Sequence, residues 1–284
     1  MSFPRSTFQN IGVKLPRFSR HLDIFKIRMI EVLNYRLRAL VWFAVGLVNT
    51  LVLLFFWWAA LSGGDSANTN TTLTIPAITT YYLLMTSLAT TTICHQEEDI
   101  SNRDIYKGNL YGYLLQPYPY LLAKFQEEIV WRLLGGFWAL LTIIIVSALG
   151  FNLTISASPF VWLLTFLSAS MGIMVSYFWK SILGLLAIWL TNLQGLLDLE
   201  GIFQIILAGF ILPLNLLPQP LQNIALFSPW AAPVYYPIAI LTQSLPMGTI
   251  ITFFAMQLFW MIVFGATSKL VFKKGLIAYT GVSQ

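Results

Sequence analysis

Long runs of apolar residues follow one another along this chain of 284 residues. A helix needs about 20 mainly apolar residues to cross the hydrocarbon core of a bilayer. The runs are unbroken and do not alternate with polar residues, so they predict helices and not the strands of a membrane barrel. Six runs predict spans, at residues 40–61, 74–94, 132–150, 159–189, 201–217 and 247–269.

Composition supports a lipid environment and excludes several kinds of site. Hydrophobic residues make up 57% of the chain and charged residues only 10%, whereas a soluble domain has about 25% charged residues. With one cysteine and two histidines, no disulfide framework or cysteine-rich metal site is expected. The sequence has no P-loop or other hydrolase motif. We therefore expect no catalytic, metal or cofactor-binding residues and no nucleic-acid partner.

Basic residues indicate how the predicted spans are oriented. Fifteen of the 16 lysines and arginines lie in residues 5–38, 103–132 and 269–274, and the loops 62–73, 151–158 and 218–246 contain none. Cytoplasmic loops carry an excess of lysine and arginine. This distribution predicts six spans with both termini in the cytoplasm.

Two segments outside the spans have distinctive patterns. Residues 21–39 place apolar side chains on one helical face and charged ones on another, which predicts an amphipathic helix on the cytoplasmic membrane surface. We therefore divide the chain into a cytoplasmic segment, 1–39, and a transmembrane domain, 40–284. Residues 212–241 are apolar but contain six prolines, so they predict short re-entrant helices before span six.

The sixteenth basic residue, Lys180, falls inside the fourth apolar run. Small residues recur every four positions around it, at Ser168, Gly172, Ser176 and Gly184. Such a ridge suits close helix contact, so one interpretation has Lys180 facing protein or a cavity within a long fourth helix. The other is an anchoring lysine at a helix end.

The loop at 95–128 is the largest group of charged residues between spans. Ser101 and Asp104 approximate a capping box, and Gly108 can close a short helix there. Ile100 and Ile105 among these charges favour docking onto another protein. The alternative is a solvated loop.

These features together resemble the permease subunits of bacterial type-2 ABC transporters, over nearly the whole chain. The resemblance rests on IYKGNLYGYLLQP (105–117), on GLLAIWLTNLQGLLDL (184–199) followed by ILPLNLLPQPLQ (211–222), and on the tail KGLIAYTGVSQ (274–284). It implies an N-terminal surface helix, six spans, a coupling helix between spans two and three, and re-entrant helices before span six. It also implies a multi-pass protein of the bacterial plasma membrane.

The function implied by the resemblance is that of a non-enzymatic exporter subunit. It would pair with a second copy or a related permease and bind separate cytoplasmic ATPase subunits. The residues implied in ATPase coupling are Asp99, Ile100, Arg103, Asp104, Ile105 and Gly108.

Three other functions remain open from the residues. A secondary transporter or channel usually carries ionisable groups in its spans, and Lys180 alone could qualify. An intramembrane enzyme would need a nucleophile or metal ligands at bilayer depth, which we do not find in the predicted spans. An assembly scaffold is the fourth possibility.

Overall fold

The computed structural model describes residues 36–62, 74–148, 150, 153–156 and 158–281, together with Lys26, Met29, Ile30 and Asn34. The surface helix predicted at 21–39 lies largely outside the described residues. Across the described ranges the chain is helical and has no strand. The all-α class is therefore confirmed.

Ten α-helices and three helical turns follow one another along the described chain. The four helices before residue 115 are α1 (Arg36–Ser62), α2 (Ile75–Thr92), α3 (Gln96–Glu98) and α4 (Leu110–Leu114), with a π-helical turn, Asp99–Ile105, between α3 and α4. Two long helices follow, α5 (Tyr120–Ala148) and α6 (Pro159–Leu185), and a 3-10 turn, Leu186–Ile188, extends α6. The remaining elements are α7 (Gln194–Leu207), a 3-10 turn (Leu214–Leu216), α8 (Gln219–Phe227), α9 (Tyr235–Thr242) and α10 (Met247–Gly281).

Local sequence signals account for two of the helix starts. The hydroxyl of Thr74 accepts a hydrogen bond from the backbone N–H of Ala77, which caps α2, and Pro76 occupies its first turn. Proline is favoured there because its missing N–H would have no helical partner. Helix α6 likewise begins at a proline, Pro159.

Three helical stretches in the described part are long and apolar enough to cross a bilayer: Tyr120–Ala148, Pro159–Ile188 and Met247–Tyr279. A shorter apolar stretch, Ala44–Ala60, lies within α1. Together they make this chain a polytopic helical membrane protein.

The observed helices differ from several of the predicted spans. Helix α5 begins at Tyr120, twelve residues before the predicted start at 132, and α10 continues past 269 to Gly281. The predicted fifth span begins earlier, at Gln194, and ends at Leu207. Its 14 residues cover about 21 Å, less than the roughly 30 Å of a bilayer's hydrocarbon core.

The proline-rich region forms short helices, as its sequence predicted. Helix α9 is buried from Tyr235 to Leu241 within the main apolar core. Its Tyr236 ring stacks on Phe253 of α10, with 4.2 Å between ring centroids. This apolar backbone is therefore shielded by the long helices around it.

The small-residue ridge of α6 lies against other backbone segments. A Cβ added at Gly172 would stand 2.7 Å from the Cα of Pro233, and one at Gly184 would stand 2.8 Å from the Cβ of Ile100. Real Cβ atoms are not found that close, so glycine is required for both contacts. The helix runs unbroken through Lys180 between them.

We predict that Gly172→Ala destabilises the protein by about 1–3 kcal/mol, because the added methyl must displace the Pro233 backbone. Thermal unfolding of the detergent-purified protein measures this effect. The matched control is Gly248→Ala, where a Cβ meets nothing within 4 Å. Equal midpoints for the two variants would contradict the close approach seen at Gly172.

Candidate coupling site

Residues 93–108, here called the coupling segment, connect α2 to α4 and bind helix α6 directly. The backbone N–H of Cys94 donates to Ser176 Oγ over 2.9 Å. The side-chain amide of Gln96 donates to the Tyr177 carbonyl over 2.7 Å and to Ser181 Oγ over 3.0 Å. All of these groups are buried, so the bonds are shielded from competing water.

A first ion cluster, formed by Glu128 and Arg132 of α5, holds the beginning of the coupling segment. The backbone N–H of His95 donates to a Glu128 carboxylate oxygen over 2.7 Å. Arg132 pairs with Glu128 at 3.1 Å and donates to the carbonyls of Thr90 and Ile93. Carbonyls at a helix C-terminus lack helical partners and attract positive charge, so Arg132 caps the end of α2.

A second ion cluster holds the π-helical turn against α5. Lys124 Nζ, only 1% exposed, lies 2.7 Å from Asp104 and 3.1 Å from Glu127. The Tyr120 hydroxyl donates to Asp104 over 2.7 Å, and Arg103 lies 3.4 Å from Glu127. Two cations and two carboxylates balance, so this cluster is formally neutral.

A third ion cluster surrounds Lys180, five residues before the end of α6. Its ammonium is 3.0 Å from Glu97 of α3 and 2.7 Å from Glu200 of α7. Trp179 and Trp230 each donate an indole N–H to Glu200 over 3.2 Å. Lys180 is 5% exposed and therefore faces protein, not lipid.

The third cluster has one basic side chain between two acidic ones. Burial raises the pKa of the Glu97 carboxyl to about 6, and the attraction of Lys180 opposes this rise.

The residues predicted to couple to an ATPase divide into two groups. Ile100, Asp104 and Ile105 are buried, the two isoleucines in an apolar cluster that includes Leu110 and Leu185. Asp99 and Arg103 reach the surface, and the Arg103 side chain is 40% exposed. The interpretation of Ile100 and Ile105 as an apolar docking surface was wrong, because both are used inside the chain.

The local interpretation of the segment was right at one end and wrong at the other. Gly108 has a φ of +75°, a conformation that favours glycine, and it ends the turn as predicted. Ser101 and Asp104 form no capping box. The Ser101 hydroxyl donates to the Glu98 carbonyl, and Asp104 binds Lys124 and Tyr120 instead.

Sequence reasoning missed the acidic partners Glu97, Glu128 and Glu200. A signal for Glu200 existed, because a buried lysine requires a carboxylate and the segment after α6 holds two acidic residues, Asp198 and Glu200. No group of three or more His, Cys, Asp or Glu side chains in the described part could hold a metal ion.

We predict that Lys124→Met lowers the free energy of unfolding by about 3–5 kcal/mol, because it leaves Asp104 buried with a weakened set of partners. Thermal unfolding in detergent measures the loss. Adding Asp104→Leu should recover part of it, because no unpaired charge then remains.

The control for this prediction is Lys107→Met, at an exposed lysine of the same segment, which should change stability by less than about 0.5 kcal/mol. A Lys124→Met protein as stable as the Lys107→Met protein would show that the buried cluster does not hold the turn.

Comparison with known proteins identifies the family. No curated protein matches the sequence. A family model described as ABC-2 family transporter protein matches residues 47–283, a range that includes the coupling segment and all three ion clusters. The resemblance to type-2 ABC permeases is thereby confirmed, and the chain belongs to the ABC-2 transporter family.

Proposed function

We propose that this chain is the membrane subunit of an ATP-driven exporter and that separate ATPase subunits act on its coupling segment. The observation that carries this proposal is the double attachment of that segment, which is bonded to α5 on one side and to α6 on the other. A push on such a segment moves two long helices together. Driving force enters if the ATPases bind the two resulting states with different free energies.

The coupling segment has one face available for such a partner. Glu98, Asp99, Asn102 and Lys107 are exposed, while Ile100, Asp104 and Ile105 anchor the opposite face. Exposed side chains of mixed charge suit a partner that binds and releases in each cycle, because steering and specificity come largely from charge complementarity. We therefore assign contact to Asp99 and Arg103 and anchoring to the buried members.

The remaining parts of the proposal concern assembly and location. Exposed apolar side chains cover α1 and α7, among them Val48, Phe55, Ile202 and Ile206, and support contact with lipid and with a second copy or a related permease. The basic residues support cytoplasmic termini, with residues 1–39 preceding the membrane domain 40–284, in a bacterial plasma membrane. Export is the direction usual in the class that the chain resembles.

A secondary transporter is the competing function, and the Lys180 cluster is the observation that favours it. Ionisable groups inside a helical bundle commonly serve as ion or proton sites. Uptake of an ion by vesicles that contain this chain without any ATPase would support that alternative.

The first test is whether an ATPase subunit co-purifies with the tagged chain and requires the exposed face. Charge introduced by Asp99→Arg together with Asn102→Arg should lower the bound ATPase by about tenfold or more, equivalent to about 1.4 kcal/mol or more of binding free energy. The amount of membrane-inserted protein should not change, because both side chains are exposed.

The matched control is Gln219→Arg, at an exposed polar residue of α8, which should leave ATPase binding unchanged. Full ATPase binding by the Asp99/Asn102 variant would exclude this face as the contact. Absence of any P-loop protein from the purified complex would contradict the proposed function as a whole.

A further inference from the structure

Helix α7 is attached to the rest of the protein in an unusual way. Glu200 is the one buried residue of this fully described helix. Several of its apolar side chains, including Leu199, Ile202 and Ile205, are exposed, while Leu207 at its end packs against the main core. Helices normally bury an apolar face against their neighbours, whereas α7 inserts a carboxylate.

The carboxylate of Glu200 reaches the same ammonium that holds the coupling segment. Lys180 Nζ is 2.7 Å from Glu200 and 3.0 Å from Glu97. The second oxygen of Glu97, Oε2, is buried and has no hydrogen-bond partner among the described residues. Lys180 is therefore the ion-pair partner of both carboxylates, and it joins α3, α6 and α7 at one point.

The far end of α7 is fixed elsewhere. The Tyr81 hydroxyl of α2 donates to the Gly209 carbonyl over 2.9 Å, and the Tyr82 hydroxyl donates to the Ile211 carbonyl over 2.6 Å. Helix α7 is thus held by hydrogen bonds just after its C-terminal end. In its middle it is held by the ion pair of Glu200 with Lys180, by the indole N–H groups of Trp179 and Trp230 on the same carboxylate, and by the Phe203 ring stacked on Trp230.

We propose that Lys180 is the positioning residue that passes movement of the coupling segment to α7. When Glu97 is displaced, the ammonium of Lys180 follows it, and Glu200 follows the ammonium. Separating a buried carboxylate from its cation would cost a large free energy. Since α7 leads into the short helices 214–242, its movement also displaces those helices. This inference rests on the proposed function.

The test measures α7 directly and does not require a known substrate. The complex of permease and ATPase subunits carries Cys94→Ser and one new spin-labelled cysteine, either Asn109→Cys directly after the coupling segment or Gly195→Cys on α7. Both sites are exposed. Pulsed electron–electron distances between the two permease copies are recorded without nucleotide and with ATP bound under conditions that block hydrolysis.

Glu200→Gln is the test variant, because the amide keeps the size of the side chain and an oxygen for the indole donors but removes the charge. We expect the ATP-dependent change at residue 109 to persist. At residue 195, the fraction of molecules that shift should fall by about threefold or more, as for the loss of a contact that carries coupling energy. Lys180→Met should give the same pattern.

Asp198→Asn is the matched control, at an exposed acidic residue of the same helix whose partner is Gln194. The ATP-dependent shift at residue 195 in Asp198→Asn should equal the shift in the protein with Lys180 and Glu200 unchanged. ATPase binding and thermal unfolding are measured on each variant to show that the complex is assembled and folded. If Lys180→Met does not fold or assemble, Glu200→Gln alone tests the inference.

Two results would overturn the inference in distinguishable ways. A full shift at residue 195 in Glu200→Gln would exclude the ion pair as the link while leaving ATPase coupling intact. No ATP-dependent shift at residue 109 in the complex with Lys180 and Glu200 unchanged would overturn the proposed function, and this inference with it.

Discussion

A buried ammonium group needs a carboxylate beside it, because the interior of a protein solvates an isolated charge poorly. Lys180 has two such partners, Glu97 and Glu200, and they come from elements far apart in the chain. One charged atom therefore joins both α3 and α7 to α6, and the hydrogen bonds of Gln96 to α6 add to the attachment of α3. The same requirement operates at Lys124 and Arg132, which fix the rest of the coupling segment to α5. Removing one partner from any of these clusters leaves the other charge buried, where water cannot take the place of the missing partner.

Close backbone contact lets these charges meet. Gly184 admits Glu97 and Ile100 against α6, one helical turn after Lys180, so the carboxylate of Glu97 reaches the ammonium. On the side of the coupling segment that contacts α5, a Cβ added at Gly135 would stand 2.5 Å from the carbonyl oxygen of Thr90. Arg132 binds that same carbonyl. Small residues and buried charges thus form one arrangement, in which glycine allows the approach and the ion pair determines its register.

Much of the fold was predictable from the sequence because helix formation in lipid depends on local composition. The long apolar runs gave the positions of α1, α2, α6 and α10, and the ridge around Lys180 indicated its burial. The partners of Lys180 depend on tertiary contacts and were not predictable in the same way. The predicted spans 159–189 and 201–217 left Glu200 in the loop between them, because a charged residue weakens an apolar run whether it faces water or pairs inside the fold. Ile100 and Ile105 were misinterpreted for the same reason, since apolar side chains among charges fit an internal core as well as an external partner.

In the proposed function, the two faces of the coupling segment have different physical tasks. A face that contacts an ATPase must release it in each cycle, which suits exposed and hydrated side chains such as Asp99 and Asn102. A face that transmits movement must not slip, which apolar contact alone does not ensure, because dispersion and hydrophobic attraction are non-directional. Hydrogen bonds and ion pairs supply direction and fixed distances. The buried face combines both kinds of contact, with Ile100 and Ile105 excluding water around Asp104 and Glu97. That division explains why so much charge is buried at one end of an otherwise apolar bundle.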